Sequence, residues 1–400
     1  MINTQQSVTN QLYDAKDTIN HWLDQQQHGK KIPLYSSVDI RQAGFKASVI
    51  DHNLFPAGFN NLSGINYINA SNAMQLAIKD AFPNCKNILL ICEEHTRNTW
   101  YLENVRILNN ALSDAGFNIV VATFMDSNES ELVMNTATHN QLIIKNMNTY
   151  MESMAGIDLV ILNNDLTNGI PNELRRIKVP IIPSMCAGWH SRLKSDHFRY
   201  VNEYFDQLGE LVGFDPWLYT AKFDTASNMD INNESDRSVL HQKATQLLNQ
   251  IEKKYAEYQI NEKPFIFLKS DSGTYGMGVK VIEDPDEIIQ LNRKNRNRLS
   301  KGKHSKSIDQ FILQEGIPSA LKETEGTAEV CIYQVSSRVV GGFYRVNTVK
   351  NGRDNLNSTG MMFKPMSTDC NPTTYTYHIL SQIASLAVTK EIDELEKDCG

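Results

Sequence analysis

Residues 265–281 read FIFLKSDSGTYGMGVKV, and they carry the strongest fold signal in the chain. An apolar run ending in Lys269, a loop with three glycines and a second β-branched run predict a strand, a turn and a strand. Glycines let backbone N–H groups approach phosphate oxygens, and Lys269 adds positive charge beside them, which is typical of a nucleotide-phosphate clamp. An ordinary hairpin with a flexible turn has the same pattern. The stretch is not a Walker A loop, because no Gly-Lys-Ser/Thr closes it, and no helix pattern follows it as a dinucleotide fingerprint requires.

Length and charge favour a protein that acts on small molecules. A chain of 400 residues predicts two or three domains with a sizeable core. Its 39 Lys and Arg against 46 Asp and Glu give a formal charge of −7, which offers no electrostatic footprint for nucleic acid or an anionic membrane. The apolar runs are too short to span a membrane, and residues 1–11 lack the features of a signal peptide, so we expect a cytoplasmic protein.

The six cysteines stand at positions 85, 92, 186, 331, 370 and 399, without C-x-x-C spacing. This scatter argues against a zinc site and against a disulfide framework. We therefore expect the cysteines to be reduced and to serve mainly as packing residues.

The first 262 residues have the pattern of an open, mostly parallel α/β domain. Apolar runs predict strands over residues 88–92, 119–124, 159–162 and 179–182, and helical periods predict helices over residues 12–28, 72–82 and 99–115. Continuous apolar strands separated by helices indicate a parallel sheet covered on both faces. Residues 38–46 and 51–61 show neither period. Because they mix charged residues and asparagines with aromatics, we expect loops there that line a polar ligand site.

Polar side chains follow three successive strands of this predicted sheet, and ligands of such sheets bind beyond the carboxyl ends of the strands. Positive charge collected at one edge would suit a carboxylate or a phosphate. At any single position an ordinary polar loop would look the same, so the recurrence at one edge is what favours a site. On charge and position, the candidates for binding substrate carboxylates are Arg41, Lys46, Asn53, Arg97, Asn98, His190, Arg192 and Lys194.

A domain boundary is predicted just before Lys263, which gives a substrate-binding region over 1–262 and an α+β nucleotide-binding region over 263–400. Before the boundary, residues 239–260 carry an amphipathic stripe and residues 223–237 have a loop-like composition. After it, we expect strands over residues 311–318, 328–335 and 339–347, a polar loop over 353–360 and a helix over 375–397. The basic residues 293–306 lack interleaved aromatics, so we expect a mobile loop that closes over a nucleotide rather than a nucleic-acid patch.

The order of these parts resembles an ATP-grasp nucleotide site. Lys269 and its glycine-rich loop are followed by Gln314-Glu315-Gly316 after an apolar strand, by Gly341-Gly342 ahead of Arg345, and by Arg-x-Asn-Leu-x-x-x-Gly from Arg353. Over nearly its whole length the chain resembles the proteobacterial-type glutamate–cysteine ligase family. The resemblance rests on residues 51–62, 95–105, 188–198, 269–279 and 341–360.

This resemblance implies an enzyme that makes γ-glutamylcysteine, the first step of glutathione synthesis. ATP would phosphorylate the γ-carboxylate of glutamate, and the amino group of cysteine would then displace phosphate. Such chemistry needs positive charge on the phosphoryl group and the developing oxyanion. By similarity, Lys269 and Arg345 would contact phosphates as the catalytic pair. The same similarity gives the remaining nucleotide contacts as Ser270, Gly273, Thr274, Tyr275, Gly276, Gly278, Gln314, Glu315, Gly316 and Asn355.

The magnesium ligands depart from the pattern of ATP-grasp ligases. Those enzymes usually supply an acidic residue on one strand and Glu-x-Asn on the next, near the end of the domain, and no such pair follows Gly360. Since the triphosphate still needs Mg²⁺, we expect the ligands among Glu329, Asp354, Asn355 and Asn357.

Two alternatives stay open at this stage. The chain could be another ATP-grasp carboxylate–amine ligase, such as a glutathione synthetase, or a nucleotide-binding regulatory protein without catalysis. Nucleic-acid binding through residues 293–306 is disfavoured by the net charge. We expect glutamate, cysteine and ATP as partners, with no nucleic acid and no membrane, and the sequence leaves open whether the chain forms a homo-oligomer.

Overall fold

The structure, a computed structural model, describes residues 4–399 except residues 63, 95–96, 127, 152–153, 274–277, 302–306 and 368, and for residues 4–7 the backbone alone. In chain order the strands are β1 Tyr35–Gln42, β2 Ala47–Asn53, β3 Asn87–Cys92, β4 Asn118–Thr123, β5 Glu131–Asn135, β6 Gln141–Asn146, β7 Leu159–Asn163, β8 Ile181–Ile182, β9 Phe223–Ala226, β10 Ile266–Ser270, β11 Lys280–Ile282, β12 Phe311–Glu315, β13 Lys322–Glu323, β14 Gly326–Val335, β15 Arg338–Asn347 and β16 Met361–Pro365. The helices are α1 Thr4–Asp14, α2 Lys16–Gln27, α3 Ile65–Ala81, α4 Thr99–Asp114, α5 Met147–Tyr150, α6 Asn172–Arg176, α7 Lys194–Val212, α8 Glu234–Glu257, α9 Asp286–Ile289, α10 Arg293–Leu299 and α11 Pro372–Asp398.

The described strands form three sheets in a mixed α/β fold. The parallel sheet has the order β5-β6-β4-β3-β7-β8, in which only the β5–β6 pair is antiparallel. The long antiparallel sheet has the order β16-β15-β14-β1-β2, with β13 also paired to β14. The short antiparallel sheet has the order β11-β10-β12-β9. The predicted mostly parallel sheet is therefore present; β3, β4, β7 and β8 agree with the four apolar runs within about two residues, and β5 and β6 were not predicted.

Local sequence signals account for the start of α11 and the end of α7. Asn371 accepts hydrogen bonds from the backbone N–H groups of Thr373 and Thr374, the Thr374 hydroxyl accepts from the Asn371 N–H, and Pro372 occupies the first turn of α11. Helix α7 ends at Gly213, whose φ of 86° lies in the left-handed region that glycine adopts without a steric penalty. Both helices carry residues that matter below.

Strand pairing joins segments from both ends of the chain. Strand β1 pairs with β14, and β9 pairs with β12, so the long and the short antiparallel sheets each contain strands from both sides of residue 262. Helix α11 packs against α1, α7 and β1. A domain division at residue 262 stays a prediction.

Several sequence expectations are wrong. Residues 38–42 and 47–53 form strands rather than loops, and residues 223–226 form β9. The predicted helix over 12–28 is divided into α1 and α2, and residues 293–299 of the expected mobile loop form α10. Cys186 and Cys399 form a disulfide, which corrects the expectation of reduced cysteines for this pair, while Cys85, Cys92, Cys331 and Cys370 are free thiols.

None of the described helices is both long enough and apolar enough to cross a membrane.

Candidate functional site

A cavity of about 380 Å³ lies where the three sheets meet. The long antiparallel sheet supplies one wall, the short antiparallel sheet faces it, and the carboxyl edge of the parallel sheet closes one end. The charged and amide side chains that line the cavity are Asp39, Arg41, Asp51, Asn53, Asn61, Asn98, Asp165, Lys194, Lys269, Gln314, Glu315, Glu329, Arg345, Asn355 and Asn357. Its aromatic side chains are Phe55, Trp189, Phe267, Tyr333, Phe343 and Phe363.

Strand register explains why so many polar groups share the wall formed by the long antiparallel sheet. Asp39 on β1 is paired with Asp51 on β2 and, on its other side, with Cys331 on β14. Directly paired residues point to the same face of a sheet, and so do residues two positions apart on one strand. Asn53 therefore shares this face with Asp51, and Glu329 shares it with Cys331.

A buried charge network occupies the middle of this wall. Arg345 donates to Asp39 Oδ2 at 2.8 Å and to Glu329 Oε1 at 2.6 Å, and Arg41 Nε donates to Glu329 Oε2 at 2.9 Å. Burial alone would raise the pKa of Glu329, but the two guanidinium groups outweigh it and hold that pKa below its ordinary value. Burial raises the pKa of Asp39 even though Arg345 opposes the shift. The Cys331 thiol donates to Asp39 Oδ1 at 2.6 Å.

Lys269 faces this wall from β10. Its Nζ donates to Gln314 Oε1 at 2.6 Å and lies 3.5 Å from the carbonyl oxygen of Ile50 on β2. Burial lowers the pKa of Lys269, and the charge of Lys194 lowers it further, to about 7. Lys194 in turn donates to Asp51. Burial would raise the pKa of Asp51, but Lys194 and Lys269 outweigh that effect and lower it to about 2.

Residues beyond three neighbouring strands of the parallel sheet close the end of the cavity. Asn98 follows β3, Asp165 follows β7, and Trp189 and Lys194 follow β8. Asn98 also caps α4, because its Oδ1 accepts from the Tyr101 N–H at 3.1 Å. The backbone N–H of Trp189 donates to the Asp165 carbonyl oxygen at 2.8 Å, which ties two of these loops together. The predicted edge of the sheet is thus part of the cavity wall.

The structure brings most of the predicted site residues into this cavity. Those lining it are Arg41, Asn53, Asn98, Lys194, Lys269, Ser270, Gly273, Gln314, Glu315, Glu329, Arg345, Asn355 and Asn357. Three predicted nucleotide contacts, Thr274, Tyr275 and Gly276, lie outside the described residues.

Two residues that were predicted to bind substrate carboxylates are instead buried in ion pairs within the protein. Lys46 is fully buried, donates to Glu315 Oε1 at 2.9 Å and lies 4.0 Å from the centre of the Trp217 ring. Arg192 makes a two-pronged ion pair with Glu391 of α11, at 2.7 and 3.0 Å. Their positive charge made them candidates, but the sequence could not show that each meets a buried carboxylate from a distant segment.

Five further predicted residues do not line the cavity. Arg97 is exposed, and His190 Nδ1 lies 3.1 Å from the Leu166 carbonyl oxygen. Gly316 packs so closely on Phe265 that a Cβ there would lie 2.2 Å from the ring, and Gly278 has a φ of 69°. The Asp354 carboxylate accepts from the Asn351 N–H at 3.0 Å and lies outside the cavity lining, whereas Glu329, Asn355 and Asn357 line the cavity.

Asp39 and Asp51 line the cavity but are not among the site residues predicted from the sequence. The sequence carries a signal for them, since Asp51-His52-Asn53 is an acidic residue, one intervening residue and an asparagine on the strand next to Asp39. It resembles the Glu-x-Asn element of ATP-grasp ligases with aspartate in place of glutamate, near the start of the chain rather than after Gly360. Among the described residues no group of three or more His, Cys, Asp or Glu side chains is arranged as a metal site. Asp39, Asp51 and Asn53 contain only two side chains of these types, but their carboxylate and amide oxygens are suitable ligands for Mg²⁺ bound to phosphates.

Comparison with known proteins decides the family. The sequence profile of the glutamate-cysteine ligase family (GshA) matches residues 9–392. The chain belongs to the glutamate-cysteine ligase family. Glutamate-cysteine ligases act in glutathione synthesis, use ATP and typically require a divalent metal, and the present chain is an enzyme of this kind.

Solved structures agree with membership of the glutamate-cysteine ligase family. A crystal structure described as a gamma-glutamylcysteine synthetase from Methylobacillus flagellatus KT has 32% sequence identity and a TM-score of 0.89, and the match covers 97% of this chain and 96% of that chain. A D-alanyl-alanine synthetase A from Vibrio cholerae O1 biovar eltor str. N16961 has 12% identity and a TM-score of 0.35 over 75% of this chain and 81% of that chain, too low to bear on the fold. No curated protein is significantly similar in sequence.

Proposed function

We propose that this glutamate–cysteine ligase binds ATP between its two antiparallel sheets and transfers the terminal phosphoryl group to the γ-carboxylate of glutamate. The observation that carries the proposal is the position of Lys269 on one sheet facing Asp39, Asp51 and Arg345 on the other. Lys269 on one wall, with Arg345 and the carboxylate oxygens of Asp39 and Asp51 on the other, matches the electrostatic needs of phosphoryl transfer.

The divalent metal of this reaction would be held by Asp39, Asp51 and Asn53, with Glu329 beside them. These residues fit Mg²⁺, because they present carboxylate and amide oxygens on one face of paired strands. Mg²⁺ usually takes only one or two protein carboxylates and completes its shell with phosphate oxygens and water. When bound, the ion would neutralise triphosphate charge. In this proposal Asp39, Asp51 and Asn53 take the place of Asp354, Asn355 and Asn357, which the sequence analysis named together with Glu329.

The chain's own cations would carry the rest of the electrostatic work. Lys269 and Arg345 would contact the phosphates of ATP. A γ-carboxylate oxygen of glutamate would bond to the terminal phosphorus, and ADP would leave. The cysteine nitrogen would then attack the acyl carbon and lose a proton, and phosphate would leave with that carboxylate oxygen. Lys194 and Arg41 line the same cavity and would stabilise the oxyanion of the tetrahedral intermediate.

The amino-acid substrates would bind at the end of the cavity formed by the parallel sheet. Asn61, Asn98 and Asp165 offer amide and carboxylate groups there, which suit the ammonium and carboxylate groups of amino acids. The adenine would lie along β12, as the resemblance implies for residues 314–316. The backbone N–H groups of Glu315 and Gly316 already donate to the Lys222 and Phe265 carbonyl oxygens. Of the backbone groups of these two residues, the carbonyl oxygens are therefore the ones that would bond to the adenine.

The acyl phosphate can be tested directly with glutamate labelled with ¹⁸O in its γ-carboxylate. Incubation with ATP, Mg²⁺ and cysteine should place one ¹⁸O atom in each phosphate released, and mass spectrometry should identify γ-glutamylcysteine. Unlabelled phosphate would refute the acyl phosphate. Other outcomes test the alternatives: product only with γ-glutamylcysteine and glycine would indicate a glutathione synthetase, and nucleotide binding without phosphate release would indicate a regulatory protein.

A further inference from the structure

The segment that carries Trp189 and Lys194 contacts the base of the glycine-rich loop, which is residues 271–273. A Cβ at Gly273 would lie 2.2 Å from the Trp189 indole, so the backbone of Gly273 rests on the face of that ring. Because the φ of Gly273 is not in the left-handed region, this contact, rather than backbone strain, is what a side chain at position 273 would disturb.

A second link lies at the start of α7. The N-cap residue Leu193 has no side chain that could cap the helix. Asp271 supplies the cap from the loop base, since its carboxylate accepts from the Ser195 N–H at 2.8 Å and from the Ser195 hydroxyl at 2.6 Å. Its carbonyl oxygen also accepts from the Lys194 N–H at 2.7 Å. Asp271 is buried, so these bonds are shielded from water.

Two cationic side chains also contact the indole. The guanidinium carbon of Arg192 lies 4.5 Å from the Trp189 ring, and Lys194 Nζ lies 4.8 Å from it. Arg192 is itself fixed by its ion pair with Glu391. Trp189 also lines the cavity at the proposed amino-acid end, whereas Lys269 stands two residues before Asp271 at the proposed phosphate end. One continuous set of contacts therefore spans both halves of the site.

We propose that Trp189 and Asp271 are positioning residues that couple the two ligands: glutamate bound beside Trp189 strengthens nucleotide binding beside Lys269, and nucleotide strengthens glutamate binding by the same factor. This inference rests on the proposed function for the location of the two substrates. The reciprocity follows from thermodynamic linkage. The physical basis is that fixing the indole also fixes Gly273 and Asp271, which lead into the phosphate-binding loop.

The test is calorimetric titration of the full chain with Mg²⁺ and the non-hydrolysable analogue AMP-PNP, with and without saturating glutamate. Typical coupling lies in the range of about 5–150-fold, so we expect glutamate to tighten analogue binding by about fivefold or more in the wild type. In Trp189→Ala, Gly273→Ala and Asp271→Ala the factor should fall below about twofold. Gly44→Ala is the matched control, because a Cβ at Gly44 meets no atom within 4 Å and Gly44 lies outside the cavity lining.

The double variant Trp189→Ala/Gly273→Ala distinguishes this contact from a general loss of structure. If the two residues act through each other, the double variant should be no worse than Trp189→Ala alone, because the added methyl group then meets no ring. Trp189→Phe, which keeps an aromatic ring, should retain part of the coupling. A wild-type factor near one, or an unchanged factor in folded Trp189→Ala and Asp271→Ala, would overturn the proposal. The ¹⁸O experiment on the wild type reports separately on the proposed function.

Discussion

Asp39 on β1 lies directly across from Asp51 on β2, and both carboxylates face a cavity that already contains four cationic side chains. Two acidic groups paired in this way repel each other unless cations balance them. In the protein Arg345 bonds to Asp39 and Lys194 bonds to Asp51. We interpret this arrangement as a metal site whose ligands are neutralised by the residues that also handle the substrates.

Replacing Asp51 with Asn should therefore impair metal-dependent turnover more than folding. We expect kcat to fall by about 10²-fold or more, the usual effect of losing one electrostatic contact to a transition state. The Mg²⁺ concentration that gives half of the maximal rate should rise, as measured in a coupled ADP assay over a Mg²⁺ series. Exposed Asp80, at the end of α3, gives the control Asp80→Asn. An unchanged Mg²⁺ dependence in Asp51→Asn would show that the metal binds elsewhere.

Nucleotide binding should take up a proton at Lys269. The pKa of this group is lowered to about 7 by burial and by Lys194, so in the free protein it loses its charge as the pH rises above 7. A bound triphosphate favours the protonated form, and the affinity for AMP-PNP should therefore fall between pH 7 and pH 9, by at most tenfold per pH unit. Calorimetry in two buffers of different ionisation enthalpy measures the proton directly.

The variant Lys269→Met removes the group responsible for this uptake. We expect it to bind nucleotide weakly with no proton uptake and to have no measurable turnover, while its far-ultraviolet circular dichroism stays unchanged. The exposed Lys253→Met should keep the wild-type proton uptake. Wild-type binding that takes up no proton at pH 8 would assign the low pKa to a group other than Lys269.

Four strands of the parallel sheet, β3, β4, β7 and β8, could be predicted because burial leaves a continuous apolar run, as in residues 88–92, whereas the half-exposed β5 and β6 have no such run. The sequence of β1 does not predict a strand, because only one face of β1 is apolar. Val38 and Ile40 face the core, whereas Asp39 and Arg41 face a polar cavity, so a period of two is present but looks like a loop of mixed charge. Its partner β14 lies almost 300 residues further along the chain, which no local pattern can reveal.

The proposed metal ligands Asp39, Asp51 and Asn53 could not be identified from chain order, because their grouping depends on the order of strands in the sheet. The resemblance predicts an acidic residue on one strand and Glu-x-Asn on the next, near the end of the domain, and no such pair follows Gly360. In the structure the positions beside β14 are filled by β1 and β2 from the start of the chain, and the C-terminal helix α11 packs against them. Strand pairing depends on which edges meet, so a sheet position can be filled from either end of the chain.

Lys46 should prove to be a structural residue rather than a substrate ligand. Lys46→Met would leave the buried Glu315 carboxylate without its ion pair, although Trp217 Nε1 and the Lys222 N–H still donate to it. Removing one partner of a buried pair typically costs about 3–5 kcal/mol of unfolding free energy, and the remaining donors favour the lower end. Urea unfolding measures this loss, and Lys46→Met/Glu315→Gln should recover part of it. A large rise in the KM for glutamate with unchanged stability would instead restore Lys46 to the substrate site.

The disulfide between Cys186 and Cys399 should stabilise the protein without being needed for catalysis. It closes a loop of 213 residues, and bonds that close long loops typically contribute about 2–4 kcal/mol to the free energy of unfolding. Dithiothreitol should lower the urea midpoint of the wild type, whereas Cys399→Ser should already have the lower midpoint and show no further change. Activity at low temperature should persist, because Arg192 and Glu391 make a second link between α11 and the segment that carries Trp189. If both proteins respond equally to dithiothreitol, the bond is not formed in solution; if folded Cys399→Ser is inactive, the bond is required to hold Trp189 in the cavity wall.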